Sequence, residues 1–132
     1  MKPFSVLVVD DEERILNFIR IKLKASGFEV LTAGDGVRAM ELVRGGQVDA
    51  IVLDLVMPRK DGIKTLKEVR ALSNLPVVVI SARTTEVEKV KALGYGNVDL
   101  LPKPFQPEEL VAKLEAIRAK STSDDKRKKP LE

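Results

Sequence analysis

The chain alternates short, continuous apolar runs with stretches of helical periodicity. Three of these runs, within residues 5–9, 50–54 and 76–81, contain LVV, IVL and VVVI. Apolar residues that follow one another without polar alternation are typical of strands buried on both faces, as in parallel sheets. Two weaker runs, Glu29–Ala33 and Asp99–Leu101, bring the predicted strands to five.

Each predicted strand is followed by a segment with apolar residues three or four positions apart, which indicates a helix. Gly27 follows the first of these helices as a C-terminal glycine, and Pro107 suits the first turn of the last. Strict alternation of strand and helix predicts an α/β domain whose parallel sheet is covered on both faces. The predicted helices are Glu13–Ser26, Gly36–Arg44, a segment carrying Ile63, Leu66 and Val69, Glu86–Leu93 and Pro107–Lys120.

Composition narrows the chemistry that such a domain can perform. The 132 residues are enough for one domain with a substantial core, and 44% hydrophobic with 33% charged residues is typical of a soluble globular protein. The chain has no histidine, which excludes histidine-based acid–base catalysis and histidine metal sites. The absence of cysteine, of a signal peptide and of an apolar run near ~20 residues leads us to expect a cytoplasmic protein without a membrane span.

The net charge of +3 does not indicate a nucleic-acid-binding body. Residues 121–132, STSDDKRKKPLE, carry four basic and three acidic residues, and the body is close to balanced. One Tyr and four Phe provide no evident platform for stacking bases. We therefore predict a domain over residues 1–120 and a polar C-terminal tail or truncated linker over residues 121–132.

Asp54 is a carboxylate set between the apolar triplets IVL and LVM. A charge in such a place costs free energy unless the protein uses it. In doubly wound sheets, ligands bind beyond the carboxyl ends of the strands, so polar residues at those ends are candidate site residues. Besides Asp54, the strand ends carry Asp10, Asp11, Ser81 and Lys103.

Three clustered carboxylates repel each other unless a cation compensates their charge. Mg²⁺ prefers carboxylates, water and phosphate oxygens, and it would leave one carboxylate free to accept a phosphoryl group. Ser81 and Lys103 would contact the other phosphoryl oxygens. Taken singly, each residue has a plainer reading, such as a helix-terminal acid, a capping hydroxyl or a surface lysine. Lys103–Pro104 is a candidate cis peptide, although few X–Pro bonds are cis.

Four segments carry a resemblance to a known family. VLVVDDE, IVLDLVMPRKDG, VVVISA and LPKPF occur in this order between Phe4 and Arg118. Together they resemble the receiver domain of bacterial two-component response regulators. The resemblance implies a flavodoxin-like, doubly wound, five-stranded parallel sheet in the order 2-1-3-4-5, with five helices in a three-layer α/β/α arrangement.

The resemblance also implies a role for each strand-end residue. Asp54 would accept a phosphoryl group from a partner sensor histidine kinase, Ser81 would be the switch hydroxyl, and Lys103 would contact the phosphoryl group. Such a domain is a switch with self-catalysed phosphorylation and slow autodephosphorylation, not a turnover enzyme. The implied Mg²⁺ ligands are Asp10, Asp11, Asp54 and the backbone carbonyl of Val56.

The segment EVEKVKALGYGNVDLLPKPFQPEEL resembles the subclass of response regulators with winged-helix DNA-binding outputs. That subclass dimerises through helix 4, strand 5 and helix 5, so the resemblance implies a homodimer and control of transcription through an output domain. The implied interface charges are Glu88, Lys89, Asp99, Glu109, Lys113 and Arg118.

Some positions depart from the family pattern or tune it. Leu100 stands where the family usually has an aromatic switch residue, and Val98 replaces an interface carboxylate. Val56 and Arg83 occupy positions that tune dephosphorylation in this family. Since Val56 cannot hydrogen-bond an attacking water, we predict a longer-lived phosphoryl group than a polar residue would allow.

Three other functions compete with this interpretation. A phosphohydrolase with an aspartyl nucleophile typically has a second Asp two residues later, where this chain has Val56. A flavodoxin-like cofactor binder needs a phosphate-cradling loop after strand one, where VVDDEER instead places negative charge. A degenerate receiver that only binds proteins conflicts with the intact set of site residues, although Leu100 keeps this alternative open.

Overall fold

The computed structural model describes the backbone of residues 3–55 and 62–128 and the side chains of residues 3–55 and 62–121. Over this part of the chain, five strands alternate with five helices, as the apolar pattern predicts. Strand bounds agree with the prediction to within one residue. The elements are β1 (Ser5–Val9), α1 (Glu13–Ala25), β2 (Glu29–Ala33), α2 (Gly36–Arg44), β3 (Ala50–Asp54), α3 (Gly62–Leu72), β4 (Val77–Ser81), α4 (Thr84–Leu93), β5 (Val98–Pro102) and α5 (Pro107–Lys128).

The strands form one sheet in the order β2-β1-β3-β4-β5, and every neighbouring pair is parallel. This order confirms the predicted doubly wound fold. β1 and β3 lie side by side at the point where the chain reverses its direction across the sheet. Such a switch point is where ligands bind in folds of this kind, beyond the carboxyl ends of the strands.

Each face of the sheet has its own apolar core, because successive strand residues point to opposite faces. One core packs under α2, α3 and α4, and the other under α1 and α5. Strand residues of the first core are Leu7, Val9, Ile51, Leu53, Val77 and Val79. Those of the second are Val6, Val8, Ala50, Val52, Val78 and Ile80.

The amino-terminal edge of the sheet, where the strands begin, is fixed by side chains that bind backbone groups. The Arg70 guanidinium donates to the carbonyls of Ser73 (3.1 Å), Leu75 (2.9 Å) and Asn97 (3.2 Å). One arginine therefore ties the end of α3 to the segments that lead into β4 and β5. Nearby, the Asp49 carboxylate accepts from the Ser5 amide at 2.8 Å.

The end of α5 differs from the prediction. The helix was predicted to end at Lys120 but continues to Lys128. The physical reason is that the segment after Lys120 has no Gly or Pro until Pro130, and its charged and polar residues are compatible with a solvated helix. Within the described residues, no helix combines the length and the apolar character that crossing a bilayer requires.

Candidate functional site

Strand register brings Asp10 and Asp54 together. Val9 on β1 pairs with Leu53 on β3, so the next position along the two neighbouring strands sets Asp10 beside Asp54. Both side chains are buried, with 3% and 5% of their residue surface exposed. Two carboxylates in adjacent strands at the switch point are therefore shielded from water.

The environment of Asp10 disfavours its charge. The pKa of Asp10 is raised to about 7, first by burial and then by the neighbouring Asp54, through its charge and through a hydrogen bond between the two carboxyl groups. The backbone amide of Glu12, which donates to Asp10 Oδ1 at 2.9 Å, acts in the opposite direction, as does the charge of Lys103. Burial and the neighbouring carboxylate together thus make the ionised form of Asp10 unfavourable.

Lys103 brings a positive charge into direct contact with this pair. Its Nζ lies 2.9 Å from Asp54 Oδ2, with 30% of the lysine side chain and 6% of the aspartate side chain exposed. The Lys103 amide donates to the Ser81 carbonyl at 3.0 Å, which extends the pairing of β4 and β5 by one residue. The Lys103–Pro104 peptide bond is cis. Asp54 therefore lies between a second carboxylate and an ammonium group.

Ser81 is buried at the end of β4 and is held by the loop that leads to α4. Its hydroxyl accepts from the Arg83 amide at 3.0 Å and donates to the Arg83 carbonyl at 3.3 Å. Arg83 is the N-cap residue of α4, and its side chain makes no capping hydrogen bond. The hydroxyl of Ser81 is thereby linked to the start of α4.

Comparison with known proteins assigns this arrangement to a family. The family model described as the response regulator receiver domain matches residues 6–115. The chain belongs to this family. The receiver is 39% identical over 124 residues to the response regulator MprA of a Mycobacterium species (strain KMS), covering 93% of this chain and 54% of MprA. It is 42% identical over 117 residues to the transcriptional regulatory protein CpxR of Klebsiella pneumoniae, covering 89% of this chain and 50% of CpxR.

Solved structures show the same fold. The receiver domain of the Francisella response regulator 1452 has a TM-score of 0.81 and 36% identity, covering 91% of this chain and 99% of that one. The Vibrio cholerae chemotaxis protein CheY4 has a TM-score of 0.78 and 31% identity, covering 88% and 99%. The receiver spans about half the length of the curated relatives it matches.

The structure places the predicted magnesium ligands unequally. Asp10 and Asp54 meet, Asp11 is exposed at the next position, and Val56 lies outside the described residues. Among the side chains of residues 3–55 and 62–121, no group of three acidic residues is placed to hold a metal ion. Asp10 and Asp54 thus form a buried pair, and the role of Asp11 stays a prediction. A buried pair of carboxylates fits Mg²⁺, which binds one or two carboxylates and completes its coordination shell with water and phosphate oxygens.

The predicted interface residues and Leu100 lie on α4, β5 and α5. Leu100 is half-buried on β5 and packs against the core under α2–α4. Lys113 Nζ lies 3.1 Å from Asp99 Oδ2, bridging α5 and β5. The Arg118 guanidinium lies 4.3 Å from the centroid of the Phe28 ring, so it contacts the loop after α1. Glu88, Lys89 and Glu109 are exposed on α4 and α5.

Sequence reasoning missed two backbone contributions to the site. The Glu12 amide orients Asp10, and the only signal for it is the short Asp-x-Glu spacing after a strand. The Gly62 amide donates to the Leu55 carbonyl at 3.1 Å, which seats the start of α3 on the end of β3.

Proposed function

We propose that this receiver is a phosphorylation-controlled switch whose Asp54 carboxylate accepts a phosphoryl group from a partner histidine kinase. The observation that carries the proposal is the position of Asp54, buried at the switch point, 2.9 Å from the ammonium group of Lys103 and beside the Asp10 carboxylate. A carboxylate held in this way is a nucleophile next to a fixed positive charge.

In the transfer, an Asp54 oxygen forms the new P–O bond while the P–N bond to the donor histidine breaks and the imidazole leaves with the electron pair. Lys103 stabilises negative charge on the phosphoryl oxygens as a point charge. Asp10, with Asp11 and the Val56 carbonyl as further predicted ligands, would hold Mg²⁺, which supplies positive charge to the phosphoryl oxygens and to the carboxylate pair. The chain's own task is to hold these groups in a dry, fixed arrangement.

The phosphoryl group also gives Ser81 a new partner. Its oxygens are stronger acceptors than the Arg83 carbonyl, which Ser81 now contacts at 3.3 Å. We expect the hydroxyl to turn towards them and to draw the loop before α4 with it. This would bias the face made by α4, β5 and α5 between two states, with Leu100 moving less than an aromatic residue would.

The partners follow from the same proposal. The donor is a sensor histidine kinase, and the α4/β5/α5 face is the proposed homodimer surface. CpxR is a transcriptional regulatory protein twice the length of the region matched here, which supports an output domain that acts on DNA in the full-length protein. The receiver itself is proposed to act in the cytoplasm without binding nucleic acid or membrane.

Intact-mass spectrometry after incubation with Mg²⁺ and an acyl phosphate tests the proposal. We expect the mass of one phosphoryl group on the wild type, and none on Asp54→Ala or when Mg²⁺ is chelated. Asp99→Ala is the matched control, because it removes an exposed carboxylate near the start of β5, away from the carboxyl ends of the strands, and should still be phosphorylated. An unmodified wild type, or equal modification of Asp54→Ala, would overturn the proposal.

A further inference from the structure

The backbone of Gly62 lies so close to the end of β3 that there is no room for a side chain between them. A Cβ placed on Gly62 would lie 2.4 Å from the Leu55 Cα, 2.6 Å from the Asp54 carbonyl oxygen and 2.6 Å from the Leu55 carbonyl oxygen. Carbon atoms in ordinary contact are about 3.5–4.0 Å from their neighbours. All three obstacles are backbone atoms, so no side-chain rotation relieves the clash.

Neither partner in this contact is free to withdraw. β3 is hydrogen-bonded to β1 on one side and to β4 on the other, and the Leu55 amide donates to the Ile80 carbonyl at 3.1 Å. α3 buries Ile63, Leu66 and Val69 in the core under α2–α4. Any substitution must therefore move the helix start, the strand end or both, by roughly 1 Å in total.

Such a movement matters because Asp54 belongs to this contact. Its carbonyl is one of the three obstacles, and its carboxylate holds Lys103 at 2.9 Å. Reacting groups displaced by about 1 Å can lose about a hundredfold in rate. We infer that Gly62 is a positioning residue for phosphoryl transfer, whose missing side chain lets α3 close on β3 and set the place of Asp54. This inference rests on the proposed function.

Three variants separate positioning from stability. Gly62→Ala introduces the clash. Gly34→Ala adds the same methyl group in the loop after β2, where nothing lies within 4 Å of the new Cβ. Val69→Ala removes buried volume from α3, at 1% exposure, and destabilises the fold without touching β3's reactive end.

The decisive readout is the initial rate of phosphoryl uptake at saturating Mg²⁺ and acyl phosphate, measured well below the unfolding temperature of every variant. We expect Gly62→Ala to be about 10- to 100-fold slower than the wild type. Gly34→Ala and Val69→Ala should stay within about twofold, although Val69→Ala melts at a lower temperature. A Gly62→Ala rate within twofold of that of Val69→Ala would overturn the inference.

A second readout needs no phosphoryl donor. The amide NMR signals of Asp10 and Lys103 report on the site, and these two residues follow β1 and β5, which take no part in the contact between Gly62 and β3. We expect them to shift in Gly62→Ala and to stay in place in the two controls. If the wild type takes up no phosphate, the proposed function fails, and unshifted signals in Gly62→Ala would separately refute the positional claim.

Discussion

The two edges of the sheet use similar polar residues in opposite ways. At the amino-terminal edge, the Arg70 guanidinium is bound by three carbonyls, and the Asp49 carboxylate by an amide. At the carboxyl-terminal edge, two buried carboxylates, Asp10 and Asp54, meet each other as well as Lys103. The first edge pairs its charges with backbone dipoles, and the second holds two buried carboxylates side by side. Charges bound by backbone groups indicate a structural role, whereas like charges held together in a protected site indicate chemistry.

Removing the ammonium group at the carboxyl-terminal edge should have the largest effect. We expect Lys103→Met to lower the rate of phosphoryl uptake by about 100-fold or more, because it removes the charge that contacts Asp54. Initial rates at saturating Mg²⁺ and acyl phosphate provide the measurement. The same substitution at Lys113, whose partner Asp99 lies away from the site, is the control. Equal rates in the Lys103 and Lys113 variants would remove Lys103 from the mechanism.

Removing the cation at the other edge should change stability instead of rate. Arg70→Met removes the guanidinium donor from the carbonyls of Ser73, Leu75 and Asn97, the last of which still accepts from the Val77 amide. We expect the free energy of unfolding to fall by about 2 kcal/mol. Urea unfolding measures this loss. Phosphoryl uptake by the folded variant should match the wild type. A rate loss as large as that of Lys103→Met would show that the two edges are not functionally distinct.

The pH dependence of stability should reveal the cost of ionising Asp10 beside Asp54. The pKa of Asp10 is about 7 in the folded receiver and 3.8 as its ordinary value. Between these values the folded state holds a proton that the unfolded state has released, so stability falls as pH rises from about 4 to about 7. We expect Asp10→Asn to reduce this loss by about 1–2 kcal/mol.

Urea unfolding of the wild type and Asp10→Asn at pH 4.5 and 7.5, without divalent cations, makes the comparison. The two proteins differ only at residue 10, so the difference between their pH profiles reports the Asp10–Asp54 pair. At pH 7.5, Mg²⁺ should stabilise the wild type more than Asp10→Asn. Parallel pH profiles for the two proteins would contradict the raised pKa of Asp10.

We expect the smallest effect from an exposed ion pair between α5 and β5. Lys113 and Asp99 are 3.1 Å apart, with 29% and 53% of their side chains exposed. Exposed pairs of this kind contribute about 0–1 kcal/mol. Lys113→Met should therefore change the unfolding free energy by less than about 1 kcal/mol, with a difference that shrinks in high salt. A larger loss would mean that charge–charge contacts beyond the two edges also carry the fold.

Sequence pattern predicted the fold well because the three central strands, β1, β3 and β4, are buried on both faces. A continuous apolar run such as VVVI has few alternatives to a central parallel strand, so strand bounds agree closely with the structure. The end of α5 was placed wrongly because no stop signal separates the helix from the polar segment. Propensities in that segment are nearly neutral and leave the boundary undetermined.

The site was predictable as a set of residues but not as a geometry. Parallel strands explain why Asp10, Asp54, Ser81 and Lys103 share one edge. Which of two adjacent acids becomes buried depends on strand register, and Asp10, not Asp11, takes the place beside Asp54. The closeness of Gly62 to β3 is a contact between backbones, and no residue pattern reports such a distance.

Locating the phosphoryl group tests the central claim most directly. Borohydride reduction converts an aspartyl phosphate to homoserine, and peptide mapping then reads the position of the modified residue. Our account predicts homoserine at position 54 alone, in a reaction that requires Mg²⁺. Homoserine at position 10 or 11, or phosphate retained on Ser81, would contradict it.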